Sequence, residues 1–331
     1  MRNILVTGGA GFIGSNFIIY MLEHYNYNII NLDCLTYAGN LDNLREVDGC
    51  ANYTFIKGDI TDKVLVEQIF EKHNIDIVIN FAAESHVDRS IENPAIFLKT
   101  NVLGTQVLLE AAKKYWKVNP EDKYSREFKL NKKFIQISTD EVYGTLGAEG
   151  RFTELTPLAP NSPYSASKAS ADLMVRAYYE TYGMPINITR CSNNYGPCQH
   201  PEKLIPLIIT NCKKNQEIPI YGDGMQIRDW LYVEDHCSAI AKVMHEGELG
   251  EVYNIGGNNE RYNIEIVKEI LKLLGKEETL IKYVQDRPGH DRRYAIDNTK
   301  ITTKLGWQPQ HNFKEGIQKT VSWYMQDKEE R

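Results

Sequence analysis

A glycine-rich turn near the amino terminus constrains the fold more than any other feature of the sequence. The apolar run 4–9 leads into TGGAGFIG (7–14), and a helical pattern follows directly. Without side chains at Gly8, Gly11 and Gly14, the backbone can approach an anion at the helix amino terminus, where N–H groups and the helix dipole favour negative charge. The turn therefore predicts a βαβ unit that binds a dinucleotide pyrophosphate.

An acidic residue ends the second predicted strand, as this interpretation requires. Asp33 follows Gly14 by 19 residues. A carboxylate there accepts hydrogen bonds from the 2′-hydroxyl of an adenosine ribose and repels a 2′-phosphate, which predicts NAD rather than NADP. Asp59 and Ile60, at the end of the third strand, are predicted to flank the adenine.

Strand and helix patterns alternate through the first half of the chain. We predict strands at 4–9, 28–33, 53–59, 75–83 and 134–138, and helices at 15–25, 64–73 and 102–115. The strands are apolar on both faces, which is typical of a parallel sheet covered by helices on each side. The predicted fold class is α/β: a Rossmann-type, doubly wound parallel sheet over 1–190, with a return of the chain around 229–257. A smaller α/β lobe is predicted over 191–331.

Composition excludes several classes of protein. A formal net charge of −6 argues against a general affinity for nucleic acid. The six cysteines form no C-x-x-C pair and join no histidine cluster at zinc spacing, so neither a metal site nor a disulfide framework is predicted. The amino terminus does not read as a signal peptide, and the apolar stretch 17–22 is too short to cross a membrane. We expect a cytoplasmic protein.

The segment SPYSASK (162–168) carries a pair of residues suited to redox chemistry. Tyr164 and Lys168 are four apart and share one face of a helix. Ser162 and Pro163 suit the cap and first turn, so Tyr164 stands at the positive end of that helix. A nearby ammonium, the helix terminus and an oxidised nicotinamide would all lower the pKa of the tyrosine. Together with the glycine turn, this pair predicts a dehydrogenase-type site.

Two adjacent carboxylates follow the fifth predicted strand in FIQISTDEVYG (134–144). In an extended strand Asp140 and Glu141 would point to opposite faces, and close together they would repel. Two interpretations remain at this point. The pair either decorates a solvated turn or bends toward a ligand that needs both an acid and a base.

Motifs spread over the whole chain resemble one family. The glycine turn, the Tyr164–Lys168 pair and the two-lobed order resemble the extended short-chain dehydrogenase/reductases. Within that family, further blocks resemble the dTDP-glucose 4,6-dehydratases: LTYAGNLDNL (35–44), AAESHVDRSI (82–91), ISTDEVYG (137–144), SPYSASKAS (162–170), CSNNYGP (191–197), EKLIPL (202–207), IRDWLYVEDH (227–236) and DRPGHDRRYAID (286–297). A polar insertion at 119–133 and Cys34 depart from the family pattern.

This resemblance implies a lyase that converts dTDP-glucose to dTDP-4-keto-6-deoxyglucose with NAD, in deoxysugar biosynthesis of the dTDP-rhamnose type. Tyr164 takes the proton of the C4 hydroxyl during oxidation at C4, and Thr139 hydrogen-bonds the C4 oxygen. Glu141 then removes the C5 proton, and Asp140 protonates the departing C6 hydroxyl. Under this reading a proton shared by the two carboxyls is expected near neutral pH. The hydride finally returns to C6.

The resemblance also assigns binding residues and an assembly. The cofactor side comprises Gly8, Gly11, Phe12, Ile13, Gly14, Asp33, Cys34, Leu35, Thr36, Asp59, Ile60, Phe81, Ala82, Ala83, Glu84, Ser85, Thr100, Tyr164, Lys168 and Asn194. The substrate side comprises Ser85, Thr139, Asn193, Lys203, Leu204, Pro219, Ile220, Tyr221, Arg228, Asn263, Asp286, Arg287, Pro288, Gly289 and His290. Arg228 and Arg287 suit a diphosphate, because a guanidinium can fork onto two oxygens. A homodimer is expected through the helices at 102–116 and 163–182.

Three alternatives remain. A UDP-sugar 4-epimerase shares the fold, the cofactor and the Tyr–Lys pair, but it needs no acid/base pair for elimination. A UDP-glucose 4,6-dehydratase would use the same residues, so only the resemblance favours thymine over uracil. A non-catalytic dinucleotide sensor would not be expected to keep Tyr164, Lys168, Asp140 and Glu141 together.

Overall fold

The computed structural model describes residues 1–286 and 289–326. Its centre is a seven-stranded sheet in which every neighbouring pair of strands is parallel. Six of its strands come from the first 191 residues: β1 (Arg2–Thr7), β2 (Tyr27–Asp33), β3 (Tyr53–Lys57), β4 (Ile77–Asn80), β5 (Lys133–Thr139) and β6 (Ile186–Cys191). The predicted α/β class with a doubly wound parallel sheet is confirmed.

Helices cover both faces of this sheet. They are α1 (Phe12–His24), α2 (Lys63–His73), α3 (Val87–Glu92), α4 (Pro94–Phe97), α5 (Thr105–Trp116), α6 (Pro163–Tyr182) and, from the second half of the chain, α8 (Val233–Glu246). Helix α7 (Leu204–Lys214) packs instead in the carboxyl-terminal lobe. One apolar cluster, which includes Phe70 and Trp116, packs on one face; another, which includes Phe17 and Ile240, packs on the other. Burial on both faces explains why the strands carry no polar/apolar alternation.

The carboxyl-terminal half returns once to the sheet and then builds its own small core. Strand β10 (Val252–Ile255) pairs in parallel with β6 at the sheet edge, and α8 contacts α1. The remaining strands form a three-stranded sheet and a two-stranded sheet: β7 (Asn193–Tyr195), β8 (Ile218–Tyr221), β9 (Ile227–Tyr232), β11 (Glu260–Tyr262) and β12 (Ile281–Val284). The helices of this half are completed by α9 (Asn263–Leu273), α10 (Thr299–Leu305) and α11 (Phe313–Met325). Helix α7 packs against α9 and α11.

The order of strands creates a crevice at one edge of the sheet. Strand β1 lies between β2 and β4, so the chain leaves β1 in one direction and later returns on its other side. In an open α/β sheet, ligands bind at such a switch point, beyond the carboxyl ends of the strands. Strand β4 ends at Asn80, earlier than predicted, because residues 81–85 leave the sheet to line this crevice. No helix within the described residues is long and apolar enough to cross a membrane.

Candidate active site

The glycine turn between β1 and α1 is packed too tightly for side chains at Gly8 and Gly14, two of the three glycines in the predicted spacing. Gly8 has a φ of +70°, and a Cβ there would lie 2.7 Å from the backbone of Ala82. At Gly14, a Cβ would collide with the carbonyl oxygen of Gly8 and lie 2.8 Å from Cα of Gly9. Helix α1 begins immediately after Gly11, so its first N–H groups open onto the crevice. This geometry can accommodate an anion, as the sequence predicts.

Asp33 ends β2 at the mouth of this turn and is held by two backbone donors. Ala10 N–H donates to Oδ2 at 2.9 Å, and Leu35 N–H donates to Oδ1 at 2.7 Å. Burial raises the pKa of the carboxyl, whereas these two hydrogen bonds lower it. Each oxygen retains a further lone pair, so the oriented carboxylate can still accept a hydrogen bond from a ligand.

A single cavity of about 410 Å³ joins the glycine turn to the chemical residues. It brings together most of the residues predicted for cofactor, catalysis and sugar: Gly8, Gly11, Phe12, Ile13, Gly14, Asp33, Cys34, Thr36, Asp59, Ile60, Phe81, Ala82, Ala83, Glu84, Ser85, Thr100, Thr139, Asp140, Glu141, Tyr164, Lys168, Asn193, Asn194 and Lys203. Residues more than 190 positions apart in the sequence thus line one continuous space.

The acidic pair lies on a turn that lines the cavity, as expected if it bends toward a ligand. Strand β5 ends at Thr139, and residues Asp140–Tyr143 form one turn of 3₁₀ helix. The Thr139 hydroxyl accepts from Glu141 N–H at 3.3 Å and donates to Oδ1 of Asp140, also at 3.3 Å. Both carboxyls therefore face the cavity instead of opposite faces of a strand.

The two carboxyls occupy different environments. Asp140 is 2% exposed, and among the described residues its Oδ2 has no hydrogen-bond partner. Burial raises the pKa of Asp140 well above its ordinary value; Glu141 and Asp229 raise it further, while Arg228 lowers it. Glu141 is half-buried. A protonated Asp140 beside a more accessible Glu141 is an arrangement that can supply an acid and a base together.

Tyr164 occupies the first turn of α6, where the sequence predicts it. The Ser162 side chain accepts from Ser165 N–H, Pro163 fills the first helical position, and Tyr164 is 9% exposed. The sequence predicts a lowered pKa with an oxidised nicotinamide beside Tyr164, and in the polypeptide by itself the direction is the opposite. Burial raises this pKa well above its ordinary value, the Glu141 carboxylate adds to the rise, and a hydrogen bond with Thr139 opposes it.

Lys168 lies one helical turn beyond Tyr164 and is also buried. Its Nζ donates to the carbonyl oxygen of Ile137 at 2.6 Å, which fixes the amine against β5. Burial lowers its pKa, while the Asp172 carboxylate on the next turn of α6 raises it. Two further N–H bonds of the ammonium can be directed elsewhere, because a lysine carries three donors.

Asn194 is oriented by a buried histidine that the sequence does not single out. Its Nδ2 donates to Ser192 O at 2.9 Å, so its Oδ1 accepts from His236 Nδ1 at 2.8 Å. His236 is fully buried, and burial lowers its pKa to about 3. The ring is therefore neutral at physiological pH, with the proton on Nδ1.

Several residues predicted for the sugar side lie outside the cavity lining but near one another. They are Leu204, Pro219, Ile220, Tyr221, Arg228, Asn263, Asp286, Gly289 and His290, and Leu35, which was predicted for the cofactor side, is also absent from the lining. Arg287 and Pro288 fall outside the described residues.

The carboxyl-terminal lobe gathers part of this group around the segment after β12. His290 Nδ1 lies 2.6 Å from Asp286 Oδ1, and Gln226 Nε2 donates to Asp286 Oδ2 at 3.1 Å. Arg228 donates to the carbonyl oxygen of Asp291 at 2.9 Å, and its guanidinium stacks 4.3 Å from the ring centre of Tyr294. Because Arg228 also lowers the pKa of Asp140, this group adjoins the chemical end of the cavity.

Some cavity residues were not predicted. They include Tyr37, Lys99, Cys191, Ser192, Gln199, His200 and Glu202. Most lie inside or beside the blocks that carry the family resemblance, which was the only signal available for them. At the rim, the Arg89 guanidinium stacks 3.8 Å from the ring centre of Tyr37 and lies 3.3 Å from the Glu202 carboxylate. These contacts join helix α3 to two separate loops across the cavity wall.

Comparison with known proteins agrees with this site. Residues 5–320 match the family model described as GDP-mannose 4,6 dehydratase. The dTDP-glucose 4,6-dehydratase of Xanthomonas campestris pv. campestris (strain B100) is 54% identical over 98% of this chain and 93% of its own length.

Two solved structures extend the comparison. The dTDP-glucose 4,6-dehydratase of Bacillus anthracis in complex with NAD is 53% identical, with a TM-score of 0.89 over 99% of this chain and 98% of that one. DesIV, the dTDP-glucose 4,6-dehydratase of Streptomyces venezuelae with NAD and the ligand TYD bound, is 46% identical, with a TM-score of 0.90 over 98% and 97%. By sequence and by structure, this chain belongs to the dTDP-glucose 4,6-dehydratase family.

Proposed function

We propose that this protein is an NAD-dependent dTDP-glucose 4,6-dehydratase that forms dTDP-4-keto-6-deoxyglucose, a precursor of deoxysugars. One observation carries the proposal beyond the family relationship. A buried Asp140 and a half-buried Glu141 meet Tyr164 in the same cavity that begins at the dinucleotide-type glycine turn. Elimination of water from a sugar needs an acid and a base on neighbouring carbons, and this pair supplies both.

The residues present fit NAD at the amino-terminal end of the cavity. The absence of side chains at Gly8 and Gly14 lets the turn pack closely on itself and on Ala82, and the first residues of α1, Phe12 and Ile13, line the cavity, where their N–H groups suit a pyrophosphate. Asp33 offers an oriented carboxylate for a ribose, and the resemblance adds Asp59, Ile60, residues 81–85, Thr100, Lys168 and Asn194 along the cofactor. When bound, NAD accepts a hydride from the sugar and later returns it, so the reaction has no net redox change.

Tyr164 prepares the sugar for elimination by receiving the proton of the C4 hydroxyl. In the polypeptide alone, burial and Glu141 favour the neutral phenol. A cation beside the phenol would oppose both effects, and the positively charged oxidised cofactor is such a cation. The Thr139 hydroxyl, which is close enough to lower the pKa of Tyr164, is placed to hold the same sugar oxygen. Proton removal at C4 is thereby coupled to the presence of the oxidised cofactor.

Asp140 and Glu141 carry out the elimination. A ketone at C4 makes the C5 proton acidic, and Glu141, the more accessible carboxylate, removes it. Burial and Glu141 favour the protonated form of Asp140, because they raise its pKa well above the ordinary value. Asp140 can therefore give its proton to the departing C6 hydroxyl.

We assign the remaining residues by their position and by the family pattern. Residues 1–190, with the returning segment 229–257, would form the cofactor domain, and 191–331 would mainly hold the nucleotide sugar. The sugar-side residues would be Asn193, Lys203, Leu204, Pro219, Ile220, Tyr221, Arg228, Asn263 and the segment 286–290. The buried Oδ1 atoms of Asn193 and Asn263 have no partner within the described residues, which supports this role for both.

The identity of the nucleobase, thymine or uracil, is the most specific part of the proposal. The test is incubation of the purified protein with dTDP-glucose and, separately, UDP-glucose, followed by identification of the products. A 4-keto-6-deoxy product formed faster from dTDP-glucose supports the proposal. Preference for UDP-glucose would assign the alternative dehydratase, and a 4-epimer would assign an epimerase.

The proposal includes a cytoplasmic homodimer. Helices α5 and α6 contact each other, and α6 leaves Leu173 54% exposed. Pairing with the same face of a second copy would bury it in a four-helix bundle. All six cysteines are free thiols, which suits a reducing compartment. A monomer in analytical ultracentrifugation at micromolar concentration would contradict the assembly.

A further inference from the structure

A buried ion pair lies directly behind the chemical residues. Asp172 is on α6, one turn after Lys168, and Arg190 is on β6. Arg190 Nε donates to Asp172 Oδ2 at 2.9 Å, and the two residues are 5% and 1% exposed, respectively. Neither residue lines the described cavity.

The same arginine also reaches the turn that carries the acidic pair. Its Nη1 donates to the Tyr143 hydroxyl at 3.0 Å, and that hydroxyl donates to Asn254 Oδ1 at 2.8 Å. Tyr143 is the last residue of the Asp140–Tyr143 turn and is 3% exposed. One continuous chain of hydrogen bonds therefore joins helix α6, strand β6 and this turn.

The charges of this network bear on Lys168. Its ammonium faces Asp172 on α6, Cys191 on β6 and the Ile137 carbonyl on β5. Arg190 faces Asp172 and Tyr143. Asp172 is thus the anion shared by two buried cations, and it favours the charged form of Lys168 against the effect of burial. A buried ion pair need not stabilise the fold, because the free-energy cost of desolvating its two charges can exceed their attraction. The Asp172–Arg190 pair can therefore serve the site rather than the stability of the fold.

We propose that Asp172 and Arg190 are positioning residues for the reaction. Asp172 keeps Lys168 charged and in place, and Arg190 fixes the Asp140–Tyr143 turn against helix α6. The groups for oxidation at C4 and the groups for elimination at C5 and C6 are thereby held in one geometry. This inference rests on the proposed function, since it concerns the same site.

The test compares Asp172→Asn, Tyr143→Phe and the double variant with the unmodified protein, using kcat and KM for dTDP-glucose across pH. Asp235→Asn is the matched control, because it also removes the charge of a buried helical aspartate. Asp235 lies on α8, is 2% exposed and accepts hydrogen bonds from the backbone N–H groups of Gln310 and His311. Asp172→Asn is expected to lower kcat by about 10- to 100-fold with little change in KM, since misplacement by about 1 Å can cost about 10²-fold. The alkaline limb of its pH profile moves to lower pH, because Lys168 loses its proton more easily.

The double variant tests the connection. If Arg190 transmits both effects, the fold-changes of Asp172→Asn and Tyr143→Phe do not multiply. Fold-changes that multiply, or a pH profile of Asp172→Asn that matches that of the unmodified protein, overturn the proposal. The proposal is also overturned if Asp172→Asn loses no more kcat than Asp235→Asn and the alkaline limb of its pH profile does not move. If Asp172→Asn does not fold, Tyr143→Phe, which removes one hydroxyl, decides: unchanged kcat overturns the proposal.

A second measurement needs no turnover. Lysine side-chain NMR identifies Lys168 as the resonance that is lost in Lys168→Met. This resonance is expected to titrate at lower pH in Asp172→Asn than in the unmodified protein, and an unchanged titration overturns the inference. If the unmodified protein forms no 4-keto-6-deoxy sugar, the proposed function fails, and the titration still decides the role of Asp172.

Discussion

Replacement of Asp140 by asparagine is expected to make the protein more stable at neutral pH and nearly inactive. The side chain is 2% exposed, and burial, Glu141 and Asp229 all disfavour its charged form. The folded protein therefore holds a proton on Asp140 at pH values where the unfolded chain has released it. Asparagine has almost the same shape and no charge, so it removes this energetic conflict.

The sign and size of the effect follow from proton linkage. Below about pH 3.9, the pKa of an unperturbed aspartate, Asp140 is protonated in both states, and the two proteins should differ little. As pH rises toward the folded pKa, the unmodified protein loses stability relative to the variant. Each unit of pKa difference corresponds to about 1.4 kcal/mol. In a chain of this size, 1 kcal/mol raises Tm by about 2 °C.

The assay is the free energy of unfolding by denaturant, measured for both proteins at several pH values from 4 to about 8. Asp223→Asn is a control of opposite sign. Asp223 is exposed, and its ion pair with Arg292 lowers its pKa to about 2. The stability that Asp223 contributes is therefore present above about pH 4 and is lost as pH falls through its folded pKa, so this variant should be slightly less stable at neutral pH. Solvent screening keeps that loss small.

Activity gives the second half of this prediction. Loss of a general acid typically costs about 10²- to 10⁴-fold, so Asp140→Asn should be slow while binding substrate normally. The reasoning is refuted if the stability difference between Asp140→Asn and the unmodified protein is the same at pH 4 and pH 8. It is also refuted if Asp140→Asn turns over at the normal rate.

Three further predictions concern the cofactor and the division of chemical roles. Purified protein should carry NAD that survives dialysis, because release in mid-cycle would strand a keto sugar; acid extraction without recovered NAD contradicts this. Asp33→Ala should weaken NAD binding and relax discrimination against NADP, measured by titration calorimetry. It should also destabilise the fold by about 1–3 kcal/mol for each donor left unsatisfied, at Ala10 and Leu35. Glu141→Gln should still reduce the cofactor, seen by near-ultraviolet absorbance, while C5 proton exchange with deuterated solvent is suppressed. Tyr164→Phe should neither reduce the cofactor nor exchange the C5 proton. Normal C5 exchange in Glu141→Gln would leave that carboxylate without a catalytic role.

The features that sequence reasoning predicted correctly are local ones. The turn between β1 and α1, the position of Asp33 and the capped start of α6 each depend on residues close together in the chain. Their physical causes are short-range: glycine conformations, a serine cap and the fixed φ of proline. The parallel sheet was also predictable, since strands buried on both faces must be apolar throughout.

Other properties depend on residues that meet only after folding. Burial raises the pKa of Tyr164, and Glu141, which comes from another element, raises it further. The link from Asp172 through Arg190 to Tyr143 joins a helix, a strand and a turn. No periodicity or spacing encodes such contacts, because they depend on which crossover brings each strand beside its neighbour and how deeply the site is buried. The residue types available for chemistry are therefore legible in the sequence, whereas their protonation and mutual orientation arise from long-range packing and the removal of water.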